Sequence, residues 1–185
     1  MVVSERRKIG ELEPNIVQAY ADTFISRWDC YHKQLETGRY TLVTRPLTIN
    51  HIASHLYGLA NITLGAYALS PDNAAKWACI DADTEDQFQG LMTLTLNLSQ
   101  QGQTTYLEKS SRGGHLWMFF PTPVTGTVAR KFASSLAAKS NLNPNIEVYP
   151  KQTRLLDDGY GSLVRLPLGI HRKTNTRYHF ITHDG

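Results

Sequence analysis

Asp81 and Asp83 sit two residues apart at the end of the apolar run Trp77-Ala78-Cys79-Ile80-Asp81-Ala82-Asp83. On a β-strand, whose side chains alternate, both carboxylates fall on one face and Ala78, Ile80 and Ala82 on the other. Like charges held that close repel, and a cation relieves the repulsion; hard carboxylate oxygens suit Mg²⁺ or Mn²⁺, which commonly take further ligands from substrate phosphates. Glu147 alternates with Ile146 and Val148 and so points away from their face. A second chemistry is carried by Lys109-Ser110-Ser111-Arg112-Gly113-Gly114-His115. Glycines such as Gly114 admit an anion close to the backbone, and hydroxyls, successive N–H groups, Arg112 and His115 supply donors. A third lies in Arg165-Leu166-Pro167-Leu168-Gly169-Ile170-His171-Arg172-Lys173, where a forked guanidinium matches phosphate oxygens. Lys109, Lys151, Gln152 and Tyr67 form a second tier of binding candidates. Each feature has a plainer reading. Acidic residues at a strand end often only cap the next helix, a short hairpin loop needs glycine anyway, and basic runs are commonly solvated.

These residues need elements to hold them. Leu12, Ile16, Tyr20, Phe24, Trp28, Tyr31 and Leu35 recur every three or four residues, which predicts one long helix opened by Pro14 and ended by Gly38. Tyr40 to Val43 reads as a strand, Thr48 caps a helix carrying Ile52 and Leu56, and Ile62 to Leu69 reads as a strand before the turn Ser70-Pro71-Asp72-Asn73. Trp77 to Asp83 is the next strand. Thr84 with Gln87 forms a capping box for a helix with Phe88, Leu91, Met92, Thr95 and Leu98 on one face. Thr104 to Lys109 and His115 to Phe120 are strands. A helix with Val128, Phe132 and Leu136 inward follows, then a strand at Asn145 to Tyr149 and a last apolar run, Leu163 to Leu168.

From Trp77 to Tyr149 the order is β-α-β-β-α-β, a ferredoxin-like or RRM-like unit in an α+β fold. Its first strand lies mid-sheet between the third and fourth. With the apolar faces against the helices, Asp81, Asp83 and Glu147 project together on the opposite, open face. His115 lies on the same sheet, displaced along it, where it suits a substrate contact better than metal ligation. Tyr20, Phe24, Trp28, Phe119 and Phe120 read as core.

Composition bounds the rest. At 185 residues with 41% hydrophobic and 19% charged residues, the chain is an ordinary globular protein, long enough for one domain or for a core module plus a small N-terminal unit. The net charge of +3 is compatible with a polyanionic partner. Two cysteines, Cys30 and Cys79, with no C-x-x-C pair, give neither a zinc site nor a disulfide framework. Arg6-Arg7-Lys8 is not followed by an apolar stretch, and no apolar run is long enough to span a membrane, so a cytoplasmic setting without membrane contact is expected.

Ile80-Asp81-Ala82-Asp83, Gly113-Gly114-His115 and Ile146-Glu147, in that order, resemble the three motifs of the archaeo-eukaryotic primase superfamily. The segment Ser110-Ser111-Arg112-Gly113-Gly114-His115-Leu116-Trp117-Met118-Phe119-Phe120 and the late Arg165–Lys173 segment look like its primase-polymerases, nearest the branch of bacterial conflict systems and CRISPR-associated enzymes. The resemblance covers residues 40 to 181. It implies an RRM-like catalytic sheet (74–185) packed on an N-terminal α/β unit (1–73) in one catalytic domain. It implies two divalent ions, Mg²⁺ or Mn²⁺, held by Asp81, Asp83 and Glu147, and triphosphate contacts from His115 helped by Ser111, Arg112, Arg165 and His171. The partners implied are a DNA template and primer, (d)NTPs, and further domains or operon partners such as a helicase or CRISPR adaptation proteins. The family's zinc-binding or helicase segment is absent from this chain, which ends at Ile181-Thr182-His183-Asp184-Gly185, as an excised catalytic domain would. The expected reaction is template-directed nucleotidyl transfer by two metal ions, as a primase, a polymerase or both. Two alternatives stand beside it: a metal-dependent nuclease on the same carboxylates, and a non-catalytic RRM-like nucleic-acid binder, whose sheet would carry stacking aromatics where the aspartates stand. Tyr67 and Tyr160 are the candidates for the nucleotide's sugar.

Overall fold

The computed structural model describes residues 13–59, 61–157 and 159–181. In chain order the elements are α1 (Pro14–Phe24), β1 (Tyr31–Gln34), β2 (Tyr40–Val43), α2 (Ile49–Tyr57), β3 (Leu64–Tyr67), β4 (Ala74–Ala82), α3 (Glu85–Gln100), β5 (Tyr106–Lys109), β6 (Gly114–Thr125), α4 (Gly126–Lys139), β7 (Glu147–Tyr149), β8 (Leu163–Arg165), β9 (Ile170–His171) and β10 (Thr176–Arg177). Arg6-Arg7-Lys8, Leu12 and Thr182–Gly185 lie outside the described residues.

β4-α3-β5-β6-α4-β7 builds the expected unit, with strand order β5-β6-β4-β7 and β4 central. Ala78, Ile80 and Ala82 pack with Phe88, Leu91 and Leu94 of α3 and with Ala133 and Ala137 of α4. Thr84 caps α3 by accepting the Gln87 N–H at 3.3 Å. The return bond of a capping box is displaced by one residue: Gln87 Oε1 accepts from the Asp83 N–H at 2.7 Å. α4 meets the sheet one residue out of the expected phase. Ala129, Ala133 and Ala137 are buried, while Val128 and Phe132 are 51% and 44% exposed. Small alanines let the helix sit close to the sheet, and the larger stripe beside them is left at the rim, where Phe132 meets Phe120 edge-on.

The other face of the sheet is not open. Trp77, Cys79, Trp117 and Tyr149 share a buried core with Tyr20, Phe24, Ile52, Leu56 and Leu64 of the N-terminal elements. Two fully buried tryptophans on that face bring enough apolar surface to recruit a covering layer. That layer is a second sheet, ordered β2-β1-β3-β8, with α1 and α2. β8 is thus its edge strand, paired with β3 through Gly65 and Arg165, although it follows the RRM-like unit in sequence.

The long N-terminal helix is shorter than its periodicity implies. It stops at Phe24, and Tyr31 to Gln34 pairs with β2 and β3 instead. Once residues 40–43 and 64–65 offer ladder partners, backbone pairing in a sheet with buried Tyr31 and Gln34 outweighs a spacing that fits a helix equally well. Trp28 accordingly leaves the core and is 38% exposed. Gly38 (φ +85°) turns the β1–β2 hairpin rather than ending a helix. Among the described residues no helix is long and apolar enough to cross a membrane.

Candidate active site

β4 ends at a cleft of about 350 Å³ between the two sheets. Asp81, Asp83, Ser111, Arg112, His115, Arg165 and His171 all line it, together with Ser110, Gln34, Tyr40 and Tyr149. Residues from positions 34 to 171 meet there because β8 carries Arg165 back to the N-terminal sheet, facing the end of β4.

In register, Asp81 stands opposite His115 on one side and Glu147 on the other. His115 is therefore beside Asp81, not displaced along the sheet, and its Nε2 lies 3.5 Å from Asp81 Oδ1. Its Nδ1 meets Glu108 Oε2 at 2.8 Å. Glu108 is wholly buried on β5; it also accepts from Arg165 Nη2 at 2.5 Å and from Trp117 Nε1 at 3.3 Å. Burial alone would raise the Glu108 carboxyl, but His115 and Arg165 outweigh it and hold it below its ordinary value. Burial opposes charge on His115 too, yet Glu108 and Asp81 raise its pKa above that of an ordinary histidine and favour the imidazolium form. Asp81, Glu108, His115 and Arg165 thus interlock at the base of the cleft.

The three expected carboxylates do not converge on one spot. Asp81 and Asp83 face the cleft, but Glu147 Oε1 is taken by Lys151 Nζ at 2.7 Å and Oε2 by the Tyr149 hydroxyl at 2.8 Å. The Lys151 hydrogen bond lowers the Glu147 carboxyl below its usual range. Among the described residues no group of three or more His, Cys, Asp or Glu side chains is assembled to hold a metal. The donor chemistry at the cleft nevertheless suits a hard divalent ion. Burial raises the Asp81 carboxyl, and the charges of Asp83 and Glu147 raise it further against the pull of His115, so added positive charge would be favoured there. Asp81 and Asp83 line the cleft, while both Glu147 oxygens are engaged by Lys151 and Tyr149.

The glycines serve packing. A Cβ on Gly113 would collide with the Ala82 carbonyl, and one on Gly114 with the Glu108 carbonyl and the Phe88 ring. Gly114 is buried and does not line the cleft; Gly113 does. Arg112 is exposed at the mouth and makes no hydrogen bond or ion pair to a described residue. His171 Nδ1 is engaged by the Thr174 N–H and hydroxyl, and burial, Arg165, Lys173 and His115 lower its pKa.

Other candidates fall elsewhere. Arg172 is spent on Thr63, Asn61 and the Ile62 carbonyl, and Lys173 lies exposed beside Gly38. Lys109 pairs with Glu85 at 2.7 Å over the Phe88 ring, and Gln152 accepts from the Ser162 N–H. Tyr67 and Tyr160 lie together under Arg27, away from the cleft, with the Tyr67 hydroxyl on His32. The tyrosines that do line the cleft are Tyr40 and Tyr149. Glu108 escaped the sequence reading, although its alternation with apolar Leu107 puts it on the aspartate face and the hairpin register sets it opposite His115. An acidic residue followed by Lys109 reads as solvated until its burial is known. Trp77 and Trp117 are wholly buried against the N-terminal core, so neither offers a face for stacked bases.

The sheet of order β5-β6-β4-β7 is backed by an α/β layer, and its Asp-x-Asp strand pairs with the strand that carries His115. The chain belongs to the archaeo-eukaryotic primase domain family of TOTE conflict systems, whose model matches residues 41–185. This bears out the conflict-system part of the expected resemblance. No curated protein matches the sequence. Among solved structures the chain is similar to the archaeo-eukaryotic primase domain of cyanophage S-2L primase-polymerase, at TM-score 0.53 and 10% identity over 93% of this chain and 91% of that one. It is also similar to the polymerase domain of Mycobacterium tuberculosis ligase D in complex with DNA, at TM-score 0.54 and 14% identity over 94% and 82%. The family makes the chain a nucleotidyltransferase of the primase-polymerase kind.

Proposed function

We propose that this chain is a DNA primase-polymerase that joins (d)NTPs to a 3′-hydroxyl under the direction of a template, and that it also starts strands. The observation that carries this reading is the cleft itself: two carboxylates on one strand end, backed by His115, with Arg112, Arg165 and His171 around the same space. In the reaction the hydroxyl oxygen forms a bond to the α-phosphorus, the α–β phosphoanhydride bond breaks, and pyrophosphate leaves with the electron pair. Mg²⁺ or Mn²⁺ held by Asp81 and Asp83, with Glu147, would make the hydroxyl a better nucleophile and offset charge on the departing pyrophosphate. Arg165 and, when protonated, His115 would donate to phosphate oxygens and counter charge that builds on them. Arg112 and Ser111, at the mouth, are placed to hold the outer phosphates. Residues 1–185 act as one catalytic domain. Both cysteines are free and buried, which fits a reducing cytoplasm.

A primed template with labelled nucleotide and Mn²⁺ tests the reading. Wild type extends the primer, and Asp81→Ala with Asp83→Ala abolishes extension while the protein stays folded; undiminished extension by that variant would refute the mechanism. Unprimed circular single-stranded template separates the activities, because labelled product there requires strand initiation. Degradation of the template without added triphosphate would identify a nuclease instead.

A further inference from the structure

We propose that Glu108, which cannot itself reach a ligand, is the positioning residue that makes one anion-binding face out of His115 and Arg165; this rests on reading the cleft as a triphosphate site. Glu108 is fully buried on β5, yet its two oxygens serve two cleft-lining cations that come from different elements. Oε2 takes the His115 Nδ1–H at 2.8 Å and Oε1 takes Arg165 Nη2 at 2.5 Å. Trp117 Nε1 adds a third donor at 3.3 Å and fixes the carboxylate from behind.

The consequence is directional. With Nδ1–H committed to Glu108, the imidazole must turn Nε2 toward Asp81 and the cleft. With Nη2 committed to Glu108 and Nη1 to the Leu166 carbonyl at 3.2 Å, Arg165 is held at two nitrogens and has little rotational freedom left. β6 and β8 belong to different sheets, so Glu108 is also the polar link that sets the spacing of the two cations across the cleft. A ligand offering several anionic oxygens, such as a triphosphate, gains most from donors whose positions are set before it arrives.

Calorimetric titration of the full chain with dATP, and separately with inorganic tripolyphosphate, tests this without turnover. Glu108→Gln keeps the shape, but its amide can accept from only one of the cations and turns an N–H toward the other. Both ligands should bind about tenfold more weakly or worse. In an Arg165→Gln background the same change should cost less than about threefold, because one of the two groups Glu108 positions is already gone. Wild-type affinity in Glu108→Gln, or an equal loss in both backgrounds, overturns the assignment. If wild type binds neither ligand, the triphosphate reading fails and this one with it; if only the variant's loss is missing, the role of Glu108 alone fails. Should Glu108→Gln not fold, the imidazole ¹⁵N shifts of the wild-type protein decide: a proton on Nδ1 of His115 is expected, and an unprotonated Nδ1 overturns the proposal.

Discussion

Among the described residues two histidines are buried in polar clusters, and the clusters shift their titration in opposite directions. His115 lies between Glu108 and Asp81, with Arg165 beyond, and the two carboxylates raise its pKa. His55, on α2, meets no carboxylate. Its Nδ1 accepts from the Leu64 N–H at 3.1 Å and its Nε2–H donates to the Pro167 carbonyl at 3.0 Å, which also accepts from the Tyr20 hydroxyl at 2.6 Å. Burial pushes the His55 pKa down to about 4, so the ring is neutral. Burial is complete or nearly so in both clusters; the partners decide. The clusters are joined by one stretch of chain, since Arg165 enters the first and Pro167 anchors the second. The neutral cluster therefore holds the segment that delivers a cation to the charged one: one is built for chemistry and the other for placement.

Substitution should pull the two apart. The largest effect is expected from His115→Ala, which removes a donor aimed at the cleft: nucleotide incorporation should fall by about a hundredfold or more in a primer-extension assay. His55→Ala should do the reverse. It leaves the Leu64 N–H without its partner and the Pro167 carbonyl with the Tyr20 hydroxyl alone, and it opens a cavity, at a cost of ~3 kcal/mol. That is a melting temperature lower by about 10 °C for a chain of this size, read by calorimetry. If His55→Ala instead removed activity at unchanged stability, the division of labour would be wrong.

Acid provides a third test. His55 titrates near 6.5 when unfolded and about 4 when folded, so between those values the unfolded state binds more protons. Its neutral form contributes fully above pH 6.5, and the contribution is lost as pH falls toward 4, reaching ~3 kcal/mol. In His55→Leu, urea midpoints measured at pH 7 and pH 4.5 should lie closer together than in wild type. Gly169→Ala approaches the same cluster from the other side, since its Cβ would collide with the His55 ring, and should cost ~1–3 kcal/mol. The smallest effect belongs to the rim. Lys151→Met removes a half-exposed ion pair, changing stability by under about 1 kcal/mol, but frees Glu147 and should lower the Mn²⁺ concentration for half-maximal extension.

Much of this site was legible from residue order. The alternation around Asp81, the capping residue Thr84 and the glycine loop before His115 each report on a few neighbouring positions, and each element appeared where the pattern placed it. Three readings failed where a local pattern had two solutions. The 28–35 aromatics fit a helix but were claimed by strand pairing. The stripe of α4 shifted by one residue because alanines pack closer than Val128 and Phe132 would. Glu147 has the expected facing but is held by Lys151 and Tyr149.

What the sequence alone determined is therefore the alternating strand that sets Asp81 on the face opposite Ala78, Ile80 and Ala82, the order of the βαββαβ unit, and the kinship that its three short motifs carry. These follow from periodicity and chirality, which act between near neighbours. Tertiary structure decided that the aspartate face is roofed by a second sheet, that β8 brings Arg165 onto Glu108, and that His115 and His55 are shifted in opposite directions. Those outcomes depend on which distant groups share a low-dielectric space, and no local pattern records that.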